Sequence, residues 1–323
     1  MASDGIRDRV SFLRRCFGSA EIARDGINVA VKCPRCDKNN LSQKKKLSIN
    51  IETWQFHCWV CEFKGKSLFP LIKGISSSEL LEEYNLKYSQ TKYLKKIDDE
   101  ISAVFLPKDY CFLGDLLGSK DPDIKASLKY LKNREISERD VWHFKLGTAR
   151  EGKFRRRIII PSFDREGDLN YYVSRSIDKG ASLKYVNSKV DKKRIIFNEI
   201  NVDWKKELTI VEGPFDLMKC DSNATCLLGS NLSEDSLLFS KITYNKTPIL
   251  IGLDSDMIKK KMKIAQQLSL FDCNVRMLDL KRFLDVGEMT KAEFIKLKSQ
   301  SIPWSRDNSL FEKIRSIDTD QLI

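Results

Sequence analysis

Apolar positions along this chain follow three patterns. Short runs, Leu208-Thr-Ile-Val211, Ile249-Leu-Ile-Gly-Leu253 and Ile158-Ile-Ile-Pro161, have the length of strands buried on both faces, and Asn274 to Leu280 reads as another strand. Leu47-Ser-Ile-Asn-Ile-Glu-Thr-Trp-Gln-Phe56 alternates as ribbon strands do, with Lys44, Lys45 and Lys46 at the turn. Helical spacing appears from Ala126, over Ser127 to Arg134 and Ile136 to Trp142, and a serine cap precedes Leu80 to Tyr84. A further helix is expected from Pro214, because proline suits the first turn. Lys87 to Glu100 is polar without a period and reads as a tether, and residues from about 301 carry no pattern. Strands interspersed with helices place the chain in the α/β class.

The strand ends carry chemistry. Glu212 follows the first run, and Asp254 and Asp256 follow the second. In a parallel sheet such residues gather at the carboxyl edge, where open α/β sheets hold their ligands. Carboxylates crowded there repel unless a cation joins them, and all-oxygen ligation suits Mg²⁺.

Cys33-Pro-Arg-Cys36 and Cys58-Trp-Val-Cys61 form two knuckles separated by 21 residues, close to the spacing of a zinc ribbon. His57 is a competing ligand by position only, since four thiolates complete the site. The other five cysteines, Cys16, Cys111, Cys220, Cys226 and Cys273, are expected to be buried small residues. Trp54, Phe56 and Trp59 place aromatic faces beside the lysines of the turn, the combination that holds single-stranded nucleic acid, with Trp59 and Lys45 the candidates; the alternative is that a domain this small uses its aromatics as core, Phe56 ahead of Trp59.

At 323 residues about two domains are expected, and a net charge of +12 favours a polyanionic partner. No apolar run approaches the ~20 residues that span a bilayer, so a soluble cytoplasmic protein without a membrane partner is expected. Two histidines make histidine dyads and triads improbable as a mechanism.

The Glu212-Gly213 and Asp254-Ser255-Asp256 pair resembles the Toprim domain shared by DnaG-type primases, topoisomerases and some nucleases, with Asp216 matching a further family acid and Asp285 a third acidic motif, ahead of Glu288. The knuckles, followed by a Lys/Gly-rich exit, resemble the primase zinc-binding domain. Cys36 stands where bacterial members carry histidine, as in phage members. Tyr130-Leu-x-x-Arg134-x-Ile136, the basic run Lys153 to Arg157 before its strand, Ser174-Arg175, Lys184-Tyr-Val-Asn-Ser188 and Ile195-Ile-Phe-Asn198, which the resemblance makes a short strand, follow the order of the primase polymerase domain. The whole resembles the small primases of T-even phages.

That resemblance implies a zinc-ribbon template-binding domain (1–74), a tether (75–124), a mixed α+β basic subdomain (125–200), a Toprim parallel-sheet subdomain (201–298) and a tail (299–323). It implies one structural Zn²⁺ and two or more catalytic Mg²⁺, the latter on Glu212, Asp216, Asp254, Asp256 and Asp285. Arg155, Arg157, Arg175 and Lys184 would hold template and nucleotide. The activity implied is RNA primer synthesis on single-stranded DNA from ribonucleoside triphosphates, with a hexameric replicative helicase as partner. Whether Glu212 is a base or only a metal ligand stays open. A recombination mediator of the RecR kind and a Toprim nuclease are the competing readings. Both lack a use for the Lys153–Ser188 block. A topoisomerase would need a strand-transfer tyrosine and a gate.

Overall fold

The computed structural model describes residues 2–36, 44–89, 103–229, 231–280 and 283–305. The chain divides into two compact units, Met1–Glu100 and Ile101–Ile323.

In the first unit helix α1 (Ala2–Phe17) precedes an antiparallel meander of β1 (Ala20–Ile22), β2 (Asn28–Val31), β3 (Leu47–Asn50), β4 (Phe56–Cys58) and β5 (Lys64–Gly65), then short helices α2 (Phe69–Ile72) and α3 (Ser78–Glu83). The alternation read from Leu47 to Phe56 holds within the strands, where Leu47, Ile49 and Phe56 are buried, and β2 and β4 bury Val29, Val31 and Cys58 in the same way. The turn lies elsewhere than expected. It falls at 51–55, where the Asn50 side chain accepts from the amides of Glu52 (3.0 Å) and Thr53 (2.8 Å), while Lys44–Lys46 lead into β3.

Trp54 therefore does not serve as a solvent-facing ring. It adopts φ +57 and packs edge-on to Phe12 (6.2 Å between centroids) and Tyr84 (5.7 Å) and against Tyr88 (5.3 Å). A bulky residue with positive φ is strained, and burial in this ring cluster offsets that strain. Phe56 is likewise core. Helix α1 is an element the sequence pattern does not announce; Val10, Phe12 and Leu13 line its buried side. Its Arg15 closes a two-pronged pair with Glu83 of α3 at 2.6 and 2.7 Å.

The second unit holds two five-stranded sheets. The first is antiparallel, in the order β10-β9-β8-β7-β6: β6 (Tyr110–Phe112), β7 (Gly147–Ala149), β8 (Arg157–Phe163), β9 (Leu169–Ser176) and β10 (Tyr185–Asn187). Between β6 and β7 lie α4 (Pro122–Asn133), capped by Asp121 through the amides of Asp123 and Ile124, and α5 (Glu138–His143), closed by a Ser137/Asp140 capping box. The cap and Pro122 start α4 earlier than Ala126, where the sequence pattern begins.

The second sheet has the order β12-β11-β13-β14-β15: β11 (Leu208–Val211), β12 (Ala224–Cys226), β13 (Ile249–Gly252) and β14 (Val275–Met277) are parallel, and β15 (Ile302–Pro303) closes one edge antiparallel. Helices α6 (Pro214–Leu217), α7 (Leu237–Asn245), α8 (Ile258–Ser269) and α9 (Lys291–Ser299) intervene. Ile158, Ile160, Tyr171 and Val173 of one sheet share a continuous core with Val211, Phe215, Leu250, Val286 and Phe294 of the other part. The α/β class with a small amino-terminal β module is thus the one observed.

Three expectations change. Ile195–Asn198 is not a strand. Asn198 takes φ +63, its amide donates to Ser162 Oγ (2.9 Å), and the Phe197 carbonyl accepts from Thr225 Oγ1 (2.7 Å), so side chains satisfy groups a ladder would have paired. Within 75–124, read as a tether, α3, β6 and the start of α4 are ordered; residues 90–102, which carry much of that reading, lie outside the described residues. The patternless tail includes β15, and the Trp304 amide donates to the Val275 carbonyl (2.8 Å); 306–323 lie outside the described residues. Among the described residues no helix is long and apolar enough to cross a membrane.

Candidate active site

The four knuckle cysteines converge. Their sulfurs all lie within 4.8 Å of one another, with Cys33 Sγ 3.8 Å from Cys61 Sγ and Cys36 Sγ 3.7 Å from Cys58 Sγ. Tetrahedral zinc with bonds of about 2.3 Å needs sulfur–sulfur edges of about 3.8 Å, so the spacing fits. Burial opposes ionisation of Cys58, but the amides of Cys61 and Val60 more than offset it and hold the thiol down to about 7. His57 stands outside the set, its Nε2 2.9 Å from Glu62 Oε2. Of the remaining cysteines, Cys16, Cys220, Cys226 and Cys273 are buried as expected and Cys111 is half-buried.

The predicted acids gather at the carboxyl edge of the parallel sheet. Val211 pairs with Gly252, so Glu212 and Asp254 leave neighbouring strands at the same level. Asp216 lies on α6 with Oδ2 accepting from the Gly213 amide (2.9 Å). Asp285 caps a single turn through the Glu288 amide (3.0 Å), and its loop is tied to the Asp254 loop by Ser255 N donating to the Leu284 carbonyl (2.9 Å). Glu288 is exposed and occupied locally, accepting from the Leu284 amide (2.9 Å). Asp256 is exposed at the rim.

These carboxylates feel one another. Burial and then Asp285 push Asp216 up to about 7, with Asp254 and Glu212 adding and the Gly213 amide opposing. Burial, then Glu212, Asp285 and Asp256, push Asp254 up to about 6 against Lys261. Glu212 Oε2 is buried without a hydrogen-bond partner. An orphaned carboxylate oxygen among acids that repel it is the signature of a place for a hard cation. The acids converge less tightly than the cysteines, which are the one set among the described residues with all ligand atoms within 4.8 Å.

Gly287 fits this crevice for a reason of space. A Cβ there would lie 2.7 Å from Asp216 Oδ1 and 3.1 Å from Asp285 Oδ1. Gly287→Ala is therefore expected to displace both carboxylates and weaken divalent-ion binding about tenfold with the fold retained, read as a rise in the Mg²⁺ concentration that half-maximally raises Tm. An unchanged midpoint would remove Gly287 from the account.

The basic residues divide. Arg175 stacks on two rings, 5.2 Å from the centroid of Tyr185 and 5.4 Å from that of Phe215, and donates to the Tyr185 hydroxyl. Phe215 directly precedes Asp216, and Asp216 lies near enough to act on the Tyr185 phenol, whose ionisation burial opposes first. Lys184 is exposed. Arg134, in sequence one residue of a helix motif, stacks on the same Phe215 ring at 4.8 Å and donates Nε to the Tyr130 hydroxyl (3.0 Å). Two guanidinium groups thus share one aromatic ring beside the acids, and the Tyr-x-x-x-Arg spacing on α4 was the available signal.

Arg157 does not present its charge to solvent. It is 9% exposed and its guanidinium donates to the carbonyls of Lys153 (3.1 Å), Leu183 (2.6 Å) and Lys184 (3.4 Å). As the first residue of a strand buried along its length it folds inward and anchors the turn before β10. Arg155 is paired with Asp123 (2.7 Å). Lys45 is paired with Glu21 rather than free, and Trp59 is 72% exposed. Pairs this exposed contribute only about 0–1 kcal/mol and are readily exchanged for another anion.

No family model matches the chain. Its sequence is 21% identical over 327 residues to the DNA primase of Listeria innocua, covering 82% of this chain and 51% of that protein. It is 23% identical over 349 residues to the DNA primase of Geobacillus stearothermophilus, covering 88% and 56%. The chain spans about half the length of the curated relatives it matches. Among solved structures, the Aquifex aeolicus primase comprising zinc-binding and RNA polymerase domains matches with a TM-score of 0.50 at 20% identity, over 96% of this chain and 90% of that one. A DnaG primase catalytic domain bound to ssDNA matches with a TM-score of 0.50 at 17% identity, over 62% and 81%. In sequence over most of its length, and in fold, the chain is similar to the DnaG-type DNA primases.

Proposed function

We propose that the chain is a DNA primase that joins ribonucleotides on a single-stranded DNA template without a primer, a nucleotidyl transfer. The observation that carries this reading is the meeting of Glu212, Asp216, Asp254 and Asp285 at one sheet edge, next to the Arg134–Phe215–Arg175 stack. Acids that repel one another and cations that bind phosphate are the two halves of a phosphoryl-transfer site.

Glu212, Asp216, Asp254 and Asp285 would hold Mg²⁺, with Asp256 at the rim. Magnesium bound there supplies charge neutralisation at the attacking and leaving oxygens. Arg175 and Lys184 orient nucleotide phosphates, and Arg134 supports the same ring from the other element. Arg157 contributes by holding the carbonyls of Leu183 and Lys184, not by contacting phosphate. In this reading residues 1–74 contact the template through Trp59 and Lys45, residues 125–200 supply the cations and residues 201–298 the acids in a Toprim arrangement. The zinc site serves folding, and a replicative helicase is the expected partner. In this reading the protein is of the phage type and acts in the cytoplasm of the host.

The test is incubation of the full chain with unprimed circular single-stranded DNA, four ribonucleoside triphosphates and Mg²⁺, with and without the cognate helicase. Short alkali-labile product on intact template is expected. A shortened template would favour a nuclease, and binding without product in both conditions a mediator.

A further inference from the structure

We propose that the outer face of α5, formed by Arg139, Trp142 and His143 and joined by Lys145, is a contact site for single-stranded nucleic acid built from residues that take no part in the carboxylate crevice. The proposal rests on the primase reading only for which strand is bound. Arg139, Trp142 and His143 stand three and four positions apart and so share one helix face; all three and Lys145 are exposed.

Trp142 is 47% exposed, and its ring is held rather than loose. Phe112 of the edge strand β6 meets it edge-on at 4.8 Å and 84°. A Cβ on Gly114 would lie 2.9 Å from the Trp142 ring and 2.4 Å from that of Phe112, so the glycine supplies the seat for both. Lys145 takes φ +51, with its carbonyl accepting from the Tyr110 hydroxyl at 2.5 Å, and its ammonium stands 5.6 Å from the Phe112 centroid and 5.7 Å from that of Trp142. A fixed half-open indole with a cation at its side is the arrangement on which a base stacks while its phosphate is neutralised.

The cations of this face are not held in ion pairs. Arg139 and Lys145 form no ion pair among the described residues, in contrast to Arg155, Arg156 and Lys193. Of the two acids of α5, Asp140 is turned inward to Lys291 (2.5 Å) and Ser137, while Glu138, four positions before Trp142, is exposed beside the ring and Asp115 is a further exposed acid. Trp142 is also the one large apolar side chain of α5, β6 and β7 that is exposed. A protein partner would call for a contiguous apolar patch, whereas a single ring among unpaired cations fits a polyanionic strand.

Fluorescence anisotropy of labelled oligo(dT) against the full chain, at several salt concentrations, tests this. Trp142→Ala is expected to weaken binding about tenfold, with Trp142→Phe keeping most of the affinity, which separates stacking from loss of fold. Lys145→Ala and Arg139→Ala should each flatten the slope of log affinity against log salt by about 0.7. Photocrosslinking to 5-iodouracil-substituted DNA should label the peptide that contains Trp142. Wild-type affinity and slope in both Trp142→Ala and Lys145→Ala would overturn the proposal, including in favour of a protein docking there. Loss of binding in those variants alongside absence of RNA synthesis by the wild type would keep the contact and reject the primase reading; normal synthesis with unaltered binding would do the reverse.

Discussion

Serine in place of Cys58 is expected to strip the first unit of its metal and of its cooperative fold. Cys58 is wholly buried at the end of β4, opposite Leu47 in the register, so its sulfur joins the metal cluster to the ribbon sheet. Structural zinc contributes about 10–16 kcal/mol in small modules, far more than the short strands and helices of this unit supply alone. The second unit has its own continuous core and should unfold as before. Expected results are a fall from one zinc per chain to near zero, rapid proteolysis confined to the first unit, and a preserved second transition in calorimetry. A variant that keeps one zinc and resists protease would refute the ligand assignment.

Glutamine at position 212 is expected to move activity and stability in opposite directions. The substitution preserves shape and removes a negative charge from among Asp216, Asp254 and Asp285, all of which it repels or shares neighbours with. Without metal the variant should be at least as stable as the wild type, since Oε2 has no partner to lose. With Mg²⁺ the order should reverse, because a ligand that binds only the folded state stabilises it in proportion to occupancy. Loss of about 4 kcal/mol of transition-state stabilisation corresponds to about a thousandfold in rate. Thermal denaturation of both proteins in chelator and in Mg²⁺ reads the crossing directly. Parallel curves in the two conditions would mean that Glu212 holds no metal.

What the sequence disclosed and what it hid have physical causes. The cysteine knuckles and the acids after β11 and β13 were legible because each is fixed by short-range spacing or by a strand end, and both recur in the fold where expected. Trp54 and Arg157 were misread for a common reason: an aromatic ring or a guanidinium looks the same in sequence whether it faces water or closes a core, and only packing decides. Ile195–Asn198 has a strand's composition, but Asn198 leaves the β region and side chains of Ser162 and Thr225 take the ladder's place. The two-residue β15 is below the length at which any alternation can be read; register with Arg276 and Met277 alone defines it. Arg134 acquires its place only when α4 meets Phe215 across the core. Helix α1 was within reach, since its buried residues follow helical spacing.

On the proposed function, the crevice of Glu212, Asp216, Asp254 and Asp285 makes RNA. The most direct test is ribonucleotide incorporation on unprimed single-stranded DNA by wild type and Glu212→Gln, in Mg²⁺ and with helicase present, after both are shown to bind template equally. Short RNA from the wild type and a loss of about a thousandfold in the variant is the predicted result. Equal synthesis by the two proteins would contradict it and move the chemistry away from this sheet edge.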